Sequence, residues 1–363
     1  MRQYKQVMIQ DRFPEDVKAI AFCEKFIKGE TPRYVFGCNE WAKSIAEHID
    51  LDGFVDDFTD SVIFYDKPVI RSSEIPPTAM VISAVVIARP ITAMRVLDRK
   101  GIQAINYYAF KKYSGINVKD VTVLGTFDNE FRINKHEFEW VFNQFADEES
   151  RRIFSALLNF RLSRNLSFMK GFVDAQDRQY FERFLKLQPQ NEVFLDVGCF
   201  DGYTSEEFIK RCPGYKAVHV FEPEPLNMAR VKNRLEQYNN IHYHPYGASN
   251  QAQTLRFSSG GSSSTISEDG EMEIKVDQID ELVKVRFTFL KMDIEGAEVA
   301  ALEGAERSIK LYHPRLAICA YHKADDLWRI PKLVLSFRDD YELYLRHYTE
   351  GVHETVMFFI PKE

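Results

Sequence analysis

The sequence predicts an α/β protein with a doubly wound parallel sheet and a terminal antiparallel hairpin in its second half. A smaller N-terminal α/β domain of Rossmann-like topology and a helical bridge precede that sheet. Short apolar runs alternate with amphipathic helical patterns in both halves, as expected when helices join parallel strands. Between them, aromatic residues recur at helical spacing. The predicted segments are residues 1–110, 111–190 and 191–363.

Composition is that of an ordinary folded protein. The 363 residues are 45% hydrophobic and 28% charged, with a net charge of -7. Nucleic acid is an improbable partner, because phosphate contacts need clustered Lys and Arg. The 5 cysteines are odd in number and form no C-x-x-C pair, which favours a reducing cytoplasm over disulfides or zinc. No signal segment or membrane-spanning run is expected, since the longest apolar run, 79–88, is too short.

The first segment reads as a small parallel sheet preceded by a helix that stops at Gly29. Its first turn offers one glycine, Gly37, where a dinucleotide fingerprint has three, so we expect a non-catalytic or substrate-recruiting domain rather than a second active site. The predicted strands are 34–37, 53–56, 79–86 and 102–105, and the predicted helices are 40–49 and 91–100. This order, with the strand Gly53 to Asp57, resembles the nucleotide-sugar-binding domain that precedes some sugar acetyltransferases. The resemblance implies a nucleotide-sugar as a candidate ligand of this domain.

The bridge and the second half complete the expected fold. The bridge is predicted to cover the second domain and to end in a helix over 180–185. A glycine- and serine-rich insertion, 258–266, is expected to cover the cofactor or the substrate, with a flexible linker as the alternative. The predicted strands of the second half are 193–197, 217–221, 241–246, 287–292, 315–320, 341–348 and 354–360, and the predicted helices are 204–211, 225–237, 298–310 and 325–336.

The most informative stretch is Val193 to Ser205, where a buried strand runs through a glycine turn into a helix. Gly198 and Gly202 let the main chain approach a ligand, and a helix start leaves N–H groups free. A capping box from Thr204 to Glu207 predicts the start of that helix. Glu222 ends the next strand, where it is placed to accept hydrogen bonds from both hydroxyls of a ribose.

The spacing of this turn argues against a dinucleotide. The fingerprint G-x-G-x-x-G would need glycine where Phe200 stands. Two acids at the turn, Asp196 and Asp201, would repel a pyrophosphate but suit a cation. S-adenosylmethionine carries an ammonium and a sulfonium and has no phosphate, so the sequence favours it over NAD.

Six blocks in the second half carry a family resemblance. In chain order they are Asp196 to Thr204, Phe221 to Pro225, the Ser-Ser turn before Ile266, Lys291 to Glu298, Tyr321-His322 and Arg346 to Tyr348. In this order they resemble the FkbM family of S-adenosylmethionine-dependent methyltransferases, and the block Asp293-Ile-Glu-Gly-Ala-Glu298 is the most family-specific. The resemblance implies O-methylation of a hydroxyl, commonly on a sugar of a glycan, glycolipid or polyketide product.

The resemblance also implies roles for individual residues. By position it places at the cofactor Asp196, Gly198, Gly202 and Glu222. We add as further cofactor contacts Thr204, Ala248 and Asp293. Asp293 and Glu295 would lie beside the methyl group. One departure is that many relatives carry Glu-x-His after the fifth strand, whereas Ala320-Tyr321-His322 stands here, which leaves the acid's role to another residue.

Methyl transfer from a sulfonium is an in-line displacement, so the acceptor oxygen must be aligned with the methyl carbon and must lose its proton. Asp293, Glu295 and His322 follow neighbouring strands and are expected at the same sheet edge. A histidine with a pKa near neutrality is the best general base, so His322 is the predicted base, with a structural histidine as the alternative. Asp293 with Glu295 or Glu298 would suit a divalent cation, but no ligand set is complete and no metal site is predicted.

The sequence therefore predicts a cytoplasmic S-adenosylmethionine-dependent O-methyltransferase that acts on a sugar or glycan-type acceptor. Two alternatives stay open at this point. One is a nucleotide-sugar oxidoreductase that uses NAD, and the other is a non-enzymatic protein that binds a nucleoside or a nucleotide-sugar.

Overall fold

A computed structural model describes residues 9–10, 13–121, 123–258, 265–266 and 272–362. Its helices are α1 (Val17–Lys28), α2 (Glu40–Ala46), α3 (Pro90–Arg99), α4 (Tyr107–Tyr113), α5 (Leu124–Gln144), α6 (Glu148–Ser163), α7 (Tyr203–Arg211), α8 (Pro225–Leu235), α9 (Ile279–Leu282), α10 (Glu298–Glu303), α11 (Glu306–Tyr312) and α12 (Asp326–Phe337). Its strands are β1 (Arg33–Phe36), β2 (Gly53–Val55), β3 (Ile63–Phe64), β4 (Lys67–Ile70), β5 (Met80–Ser83), β6 (Gln103–Asn106), β7 (Val193–Val197), β8 (Ala217–Phe221), β9 (Ile241–His244), β10 (Gly247–Ala248), β11 (Gln253–Ser258), β12 (Thr265–Ile266), β13 (Met272–Asp277), β14 (Phe289–Met292), β15 (Arg315–Cys319), β16 (Tyr341–His347) and β17 (Thr355–Pro361).

The larger sheet has the strand order β16-β17-β15-β14-β7-β8-β9. Strands β9, β8, β7, β14 and β15 run parallel, and β17 enters antiparallel between β15 and β16. The predicted doubly wound sheet with a terminal antiparallel hairpin is confirmed. Since β7 lies between β8 and β14, the order reverses at β7, and ligands of open α/β sheets bind outside the carboxyl ends of strands at such a point.

The N-terminal sheet has the order β3-β4-β2-β1-β5-β6 and is parallel except for the antiparallel pair β3 and β4. The strands predicted in this segment are present, but β3 and β4 were not predicted. Neither contains a fully buried residue, and Pro68 interrupts the apolar run of β4, so they lack the continuous apolar signal of a central strand.

The prediction of a helix over 180–185 is wrong. Helix α6 is the last α-helix before β7 among the described residues, and only short 3-10 turns follow it, including Arg183–Leu185. Tyr180 has a left-handed backbone, with φ 71. Its hydroxyl faces Asp293, whereas the Phe184 ring stacks on Tyr344 of the edge strand β16 at 4.4 Å. A regular helix would place residues four apart on one face, so it could not serve both partners.

The helix predicted over 298–310 is two helices, α10 and α11. The break falls at Gly304, where an added Cβ would lie 1.9 Å from the carbonyl oxygen of Ser249. Only glycine fits at this position, and the Gly304 carbonyl accepts a hydrogen bond from the Asp280 N–H at 3.0 Å instead of continuing the helix. Most of the insertion predicted to cover the ligand, 258–266, lies outside the described residues.

The turn between β16 and β17 joins the two large sheets. The Glu350 carboxylate accepts hydrogen bonds from the Thr92 N–H at 2.7 Å and from its hydroxyl at 2.6 Å, in the first turn of α3. Gly351 packs on the same loop, where a Cβ would lie 2.0 Å from the carbonyl oxygen of Ile87. A carboxylate at a helix start stabilises the free N–H groups there. The N-terminal sheet is thus held against the edge of the larger one.

No helix in the part of the chain that the structure describes is long and apolar enough to cross a membrane.

One hydrophobic cluster runs through both large sheets and the helices between them. Its fully buried members include Phe54, Phe110, Phe154, Leu290 and Phe359. Burying each such side chain stabilises the fold by about 1.5–3 kcal/mol, so the segments are packed together by a shared core.

Candidate active site

A cavity of about 1390 Å³ opens at the carboxyl ends of β7, β8 and β14, where the strand order reverses. Its wall includes Gly198 after β7, Glu222 after β8 and Asp293 after β14. Small-molecule pockets usually measure about 300–1,000 Å³, so this space can hold two ligands of moderate size. The N-terminal segment contributes Trp41 and Ile87 to the same wall.

Carboxylates outnumber cations in the wall of this cavity. Among the described residues that line it, the acids are Glu40, Asp201, Glu222, Asp293, Glu295, Glu303, Asp325 and Glu354, and the lysines and arginines are Lys291, Lys323 and Arg329. A cleft lined by one sign of charge attracts ligands of the opposite sign. The cavity is therefore better suited to a cationic or neutral ligand than to an anionic one.

The glycine turn lies against the end of β14. Gly198 has φ 77, and a Cβ at this position would lie 1.9 Å from the carbonyl oxygen of Asp293. Only glycine fits there, because both the left-handed backbone and the contact exclude a side chain. The turn thus brings main chain from β7 and β14 together at the cavity.

Helix α7 begins at Tyr203 after Gly202, which has φ 84, so the predicted capping box is wrong. The Thr204 side chain makes no cap, and instead Asp201 accepts a hydrogen bond from the Tyr203 N–H at 3.0 Å. Arg234 of α8 pairs with the same carboxylate at 2.6 Å. The helix start is therefore already occupied by a carboxylate, and Thr204 lies in the cavity wall.

Glu222 is held at the cavity by the main chain. Its carboxylate accepts hydrogen bonds from the Phe200 N–H at 3.1 Å and from the Glu224 N–H at 2.9 Å. Only 6% of the residue is exposed, and this burial raises the pKa of Glu222 to about 7. Each carboxylate oxygen still has a lone pair available. Glu222 can therefore accept hydrogen bonds from a diol.

The other cofactor contacts expected from the sequence divide into two groups. Ala248 and Thr204 lie in the cavity wall with Gly198 and Glu222. Asp196 is fully buried and, like Gly202, is not part of that wall. It is 3.1 Å from Lys291 and accepts a hydrogen bond from the Ser205 hydroxyl at 2.7 Å. Asp196 thus ties β7 to β14 and α7, beneath the turn.

Asp293 receives two tyrosine hydroxyls. Tyr180 donates to it at 2.8 Å, and Tyr321 donates at 3.2 Å. Burial alone would raise the pKa of Asp293, but Lys291 and His322 hold it below its ordinary value. Asp293 is therefore a carboxylate at neutral pH, fixed in position at the cavity wall. Tyr180 was missed by sequence reasoning because it comes from the bridge, far from every strand end.

His322 lies among three carboxylates. Its Nδ1 is 2.9 Å from Glu298, and its Nε2 is 3.4 Å from Asp293 and 3.6 Å from Glu295. Burial alone would lower the pKa of His322, yet the carboxylates, Glu298 first among them, raise it to about 10. The carboxylates thus favour a protonated imidazole at pH 7, whereas the sequence suggested a pKa near neutrality; the assignment of His322 as the base stays a prediction. The sequence predicted Asp293, Glu295 and His322 at one sheet edge, but it did not predict that Glu298 of α10 is buried against Nδ1.

Glu295 has the most open carboxylate of this group, with 29% of its side chain exposed. Its backbone is left-handed at φ 55, a conformation that costs a residue other than glycine about 1–2 kcal/mol. Burial raises the pKa of Glu295 to about 7. Strained residues of this kind cluster at functional sites, and this one lines the cavity.

Comparison with known proteins finds a family match for part of the chain. Residues 196–349 match the methyltransferase FkbM domain. A crystal structure of a methyltransferase FkbM from Methylobacillus flagellatus KT is similar over 96% of this chain and 94% of its own, with a TM-score of 0.76 and 23% identity, which establishes the fold. No curated protein matches the sequence significantly.

Two further solved structures are similar to only part of the chain. An rRNA methylase from Streptococcus thermophilus covers 49% of this chain and 92% of its own, with a TM-score of 0.35 and 13% identity. A methyltransferase from Streptococcus mutans, crystallised with SAH, covers 48% and 92%, with a TM-score of 0.32 and 15% identity.

Proposed function

We propose that the chain, whose residues 196–349 match the methyltransferase FkbM domain, transfers a methyl group from S-adenosylmethionine to a hydroxyl of a sugar or glycan-type acceptor. The observation that best supports this cofactor is the position of the Glu222 carboxylate, which two main-chain N–H groups hold at the cavity. Gly198, at a turn position where only glycine fits, lines the same cavity.

The residues around the turn fit this cofactor. Glu222 would accept the hydroxyls of the ribose, and Gly198, Thr204 and Ala248 would lie against the nucleoside. S-adenosylmethionine supplies an electrophilic methyl group on a sulfonium. The acidic wall favours that cation. A pyrophosphate would instead meet Asp201 at the start of α7, which argues against NAD.

The acceptor hydroxyl must approach the methyl group in line and lose its proton. Glu295 has the most open carboxylate in the group, and its oxygen lies 3.6 Å from His322 Nε2. We assign proton removal to Glu295, with His322 as its charged neighbour. Asp293, fixed by Tyr180 and Tyr321, would orient the reacting groups. This assignment replaces His322 as the base.

The N-terminal segment, proposed as a domain of residues 1–110, would recruit the acceptor. It contributes Glu40, Trp41 and Ile87 to the cavity wall. Carboxylates and aromatic rings together suit a sugar, which offers hydroxyl donors and apolar ring faces. A nucleotide-sugar diphosphate fits less well, because Glu350 already bonds Thr92 at the start of α3. The bridge of 111–190 and the catalytic domain of 191–363 complete the proposed division.

A reducing cytoplasm is the proposed compartment, in keeping with five cysteines that form no disulfide. The test of the function is transfer of an isotope-labelled methyl group from S-adenosylmethionine. The full chain is incubated with a panel of neutral glycans, and with nucleotide-sugars for comparison. Label on a glycan hydroxyl is the expected product. Label on a nitrogen or carbon acceptor, or on nucleotide-sugars alone, would contradict the proposed acceptor.

A further inference from the structure

Three side chains beside the proposed methyl-transfer site form a group of metal-ligating type. One atom each from Asp293, Glu298 and His322 lie within 4.8 Å of one another, and no other such group occurs among the residues that the structure describes. Metal–ligand bonds of about 2.0–2.4 Å allow an ion to span up to twice that length between opposite ligands. Because His322 presents Nδ1 to Glu298 and Nε2 to Asp293, rotation of the imidazole is needed to bring one nitrogen to an ion between the two carboxylates.

Buried atoms without hydrogen bonds set this group apart from an ordinary acidic cluster. Glu298 is fully buried, and its Oε2 has no hydrogen-bond partner. His322 is 6% exposed, and neither ring nitrogen makes a well-formed hydrogen bond, although Nδ1 lies 2.9 Å from Glu298 Oε1. A buried polar atom that makes no hydrogen bond is costly, and a bound ligand is one way to satisfy it.

Glu298 has its other oxygen fixed by the main chain. Its Oε1 accepts a hydrogen bond from the Ile294 N–H at 2.9 Å, which ties the start of α10 to the loop after β14. The carboxylate is thus held in one orientation, with Oε2 left over. Asp293 is held in a similar way by the Tyr180 and Tyr321 hydroxyls. A preorganised ligand set loses little side-chain freedom when an ion binds.

We propose that Asp293, Glu298 and His322 bind a divalent cation at the cavity wall. One imidazole nitrogen and two carboxylates form a mixed nitrogen and oxygen set, which suits a first-row ion such as Mn²⁺. A histidine ligand is neutral, so the cation takes the place of the imidazole proton as the positive charge of the group. Glu295, 3.6 Å from His322 Nε2, would face the ion from the cavity side.

Such an ion would have a direct use in the proposed reaction. Asp293 and His322 line the cavity, so an acceptor hydroxyl could bind the ion through its oxygen and lose its proton more readily. This use rests on the proposed function. The binding of the ion does not, and it is measured without cofactor or acceptor.

The test is titration of the metal-stripped full chain with Mn²⁺, followed by calorimetry and by loss of the free-ion electron paramagnetic resonance signal. One ion per chain is expected, with an affinity that Glu298→Gln and Asp293→Asn each weaken at least about tenfold. The matched control is Glu303→Gln, which changes an acid on the same helix that lines the cavity outside the group. It should bind Mn²⁺ as the unaltered chain does.

Two results would overturn the proposal. One is no saturable binding by the unaltered chain up to about 1 mM Mn²⁺, the weak end of known sites. The other is an equal loss of affinity in Glu303→Gln and Glu298→Gln. Melting temperature and S-adenosylhomocysteine titration of each variant report folding, and if Glu298→Gln does not fold, Asp293→Asn decides. Normal S-adenosylhomocysteine binding without Mn²⁺ binding would reject the ion and leave the proposed function standing.

Discussion

Gly198 approaches Asp293 so closely that a Cβ on residue 198 would lie 1.9 Å from the Asp293 carbonyl oxygen. The contact joins the turn that is proposed to hold the nucleoside to the loop that carries the proposed catalytic acids. Any side chain at position 198 must therefore move one of them.

The substitution Gly198→Ala should destabilise the fold by about 2–5 kcal/mol, from backbone strain together with the contact. It should also abolish S-adenosylhomocysteine binding. Gly115→Ala is the matched control, since Gly115 has a similar φ of 72 and nothing within 4 Å of its Cβ position. Gly115→Ala should lower the free energy of unfolding by only about 1–2 kcal/mol, and the protein should still bind S-adenosylhomocysteine. Urea unfolding and calorimetry measure both, and equal effects of the two substitutions would refute the role of the contact.

Glu222 should make stability depend on pH in a defined direction. Its pKa is raised from 4.5 to about 7 by burial, so between these values the folded state binds more protons than the unfolded state. The free energy of unfolding should therefore fall by a few kcal/mol as the pH rises through that window. Glu222→Gln should lack this part of the pH dependence. Urea unfolding of both proteins at pH 5 and pH 8 tests this, and identical pH dependence would contradict the burial of an ionisable carboxyl at this site.

Replacement of the proposed base should separate chemistry from binding. Glu295→Gln should lower kcat for methyl transfer by about 10²–10⁴, the usual contribution of general-base catalysis, while S-adenosylhomocysteine affinity stays unchanged. Glu303 lines the same cavity, so Glu303→Gln is the control, and it should keep full activity. Full activity in Glu295→Gln would remove Glu295 from the mechanism.

The contact between Glu350 and Thr92 should hold the β16–β17 turn in place. Glu350→Ala should lower the free energy of unfolding by about 1–2 kcal/mol, because the first turn of α3 loses its carboxylate partner. Amide hydrogen exchange of residues 349–354 should become faster. Glu24→Ala, on the exposed face of α1, is the control and should change neither quantity. Unchanged exchange in Glu350→Ala would show that the turn is held by other contacts.

The sequence predicted the central strands best. The bounds of β7 and β8 agree with prediction because all residues of both strands are buried, and a continuous apolar run between turn signals then marks the strand. The chain's departures from prediction come from contacts between distant segments. Tyr180 lies outside any regular helix, and its hydroxyl donates to Asp293. The helix predicted over 298–310 is interrupted at Gly304, which packs against the carbonyl oxygen of Ser249.

The site residues, too, were predicted where the signal is local in the sequence and missed where it depends on contacts between distant segments. Glu222 and Gly198 were found because strand ends and glycine turns are visible in sequence, and both lie at the cavity. The raised pKa of His322 was not predicted, because the carboxylate that raises it most is Glu298, which the fold buries against Nδ1. Burial of Asp196 against Lys291 likewise depends on strand pairing, which the sequence shows only as alternation.

The most direct test of the central claim is calorimetric titration of the full chain with S-adenosylhomocysteine and, separately, with NAD. We expect saturable heat with S-adenosylhomocysteine and none with NAD. The S-adenosylhomocysteine affinity should be about 10- to 100-fold weaker in Glu222→Gln, because hydrogen bonds to a charged group are lost. Heat with NAD alone, or equal S-adenosylhomocysteine affinity in Glu222→Gln and the unaltered chain, would contradict the claim.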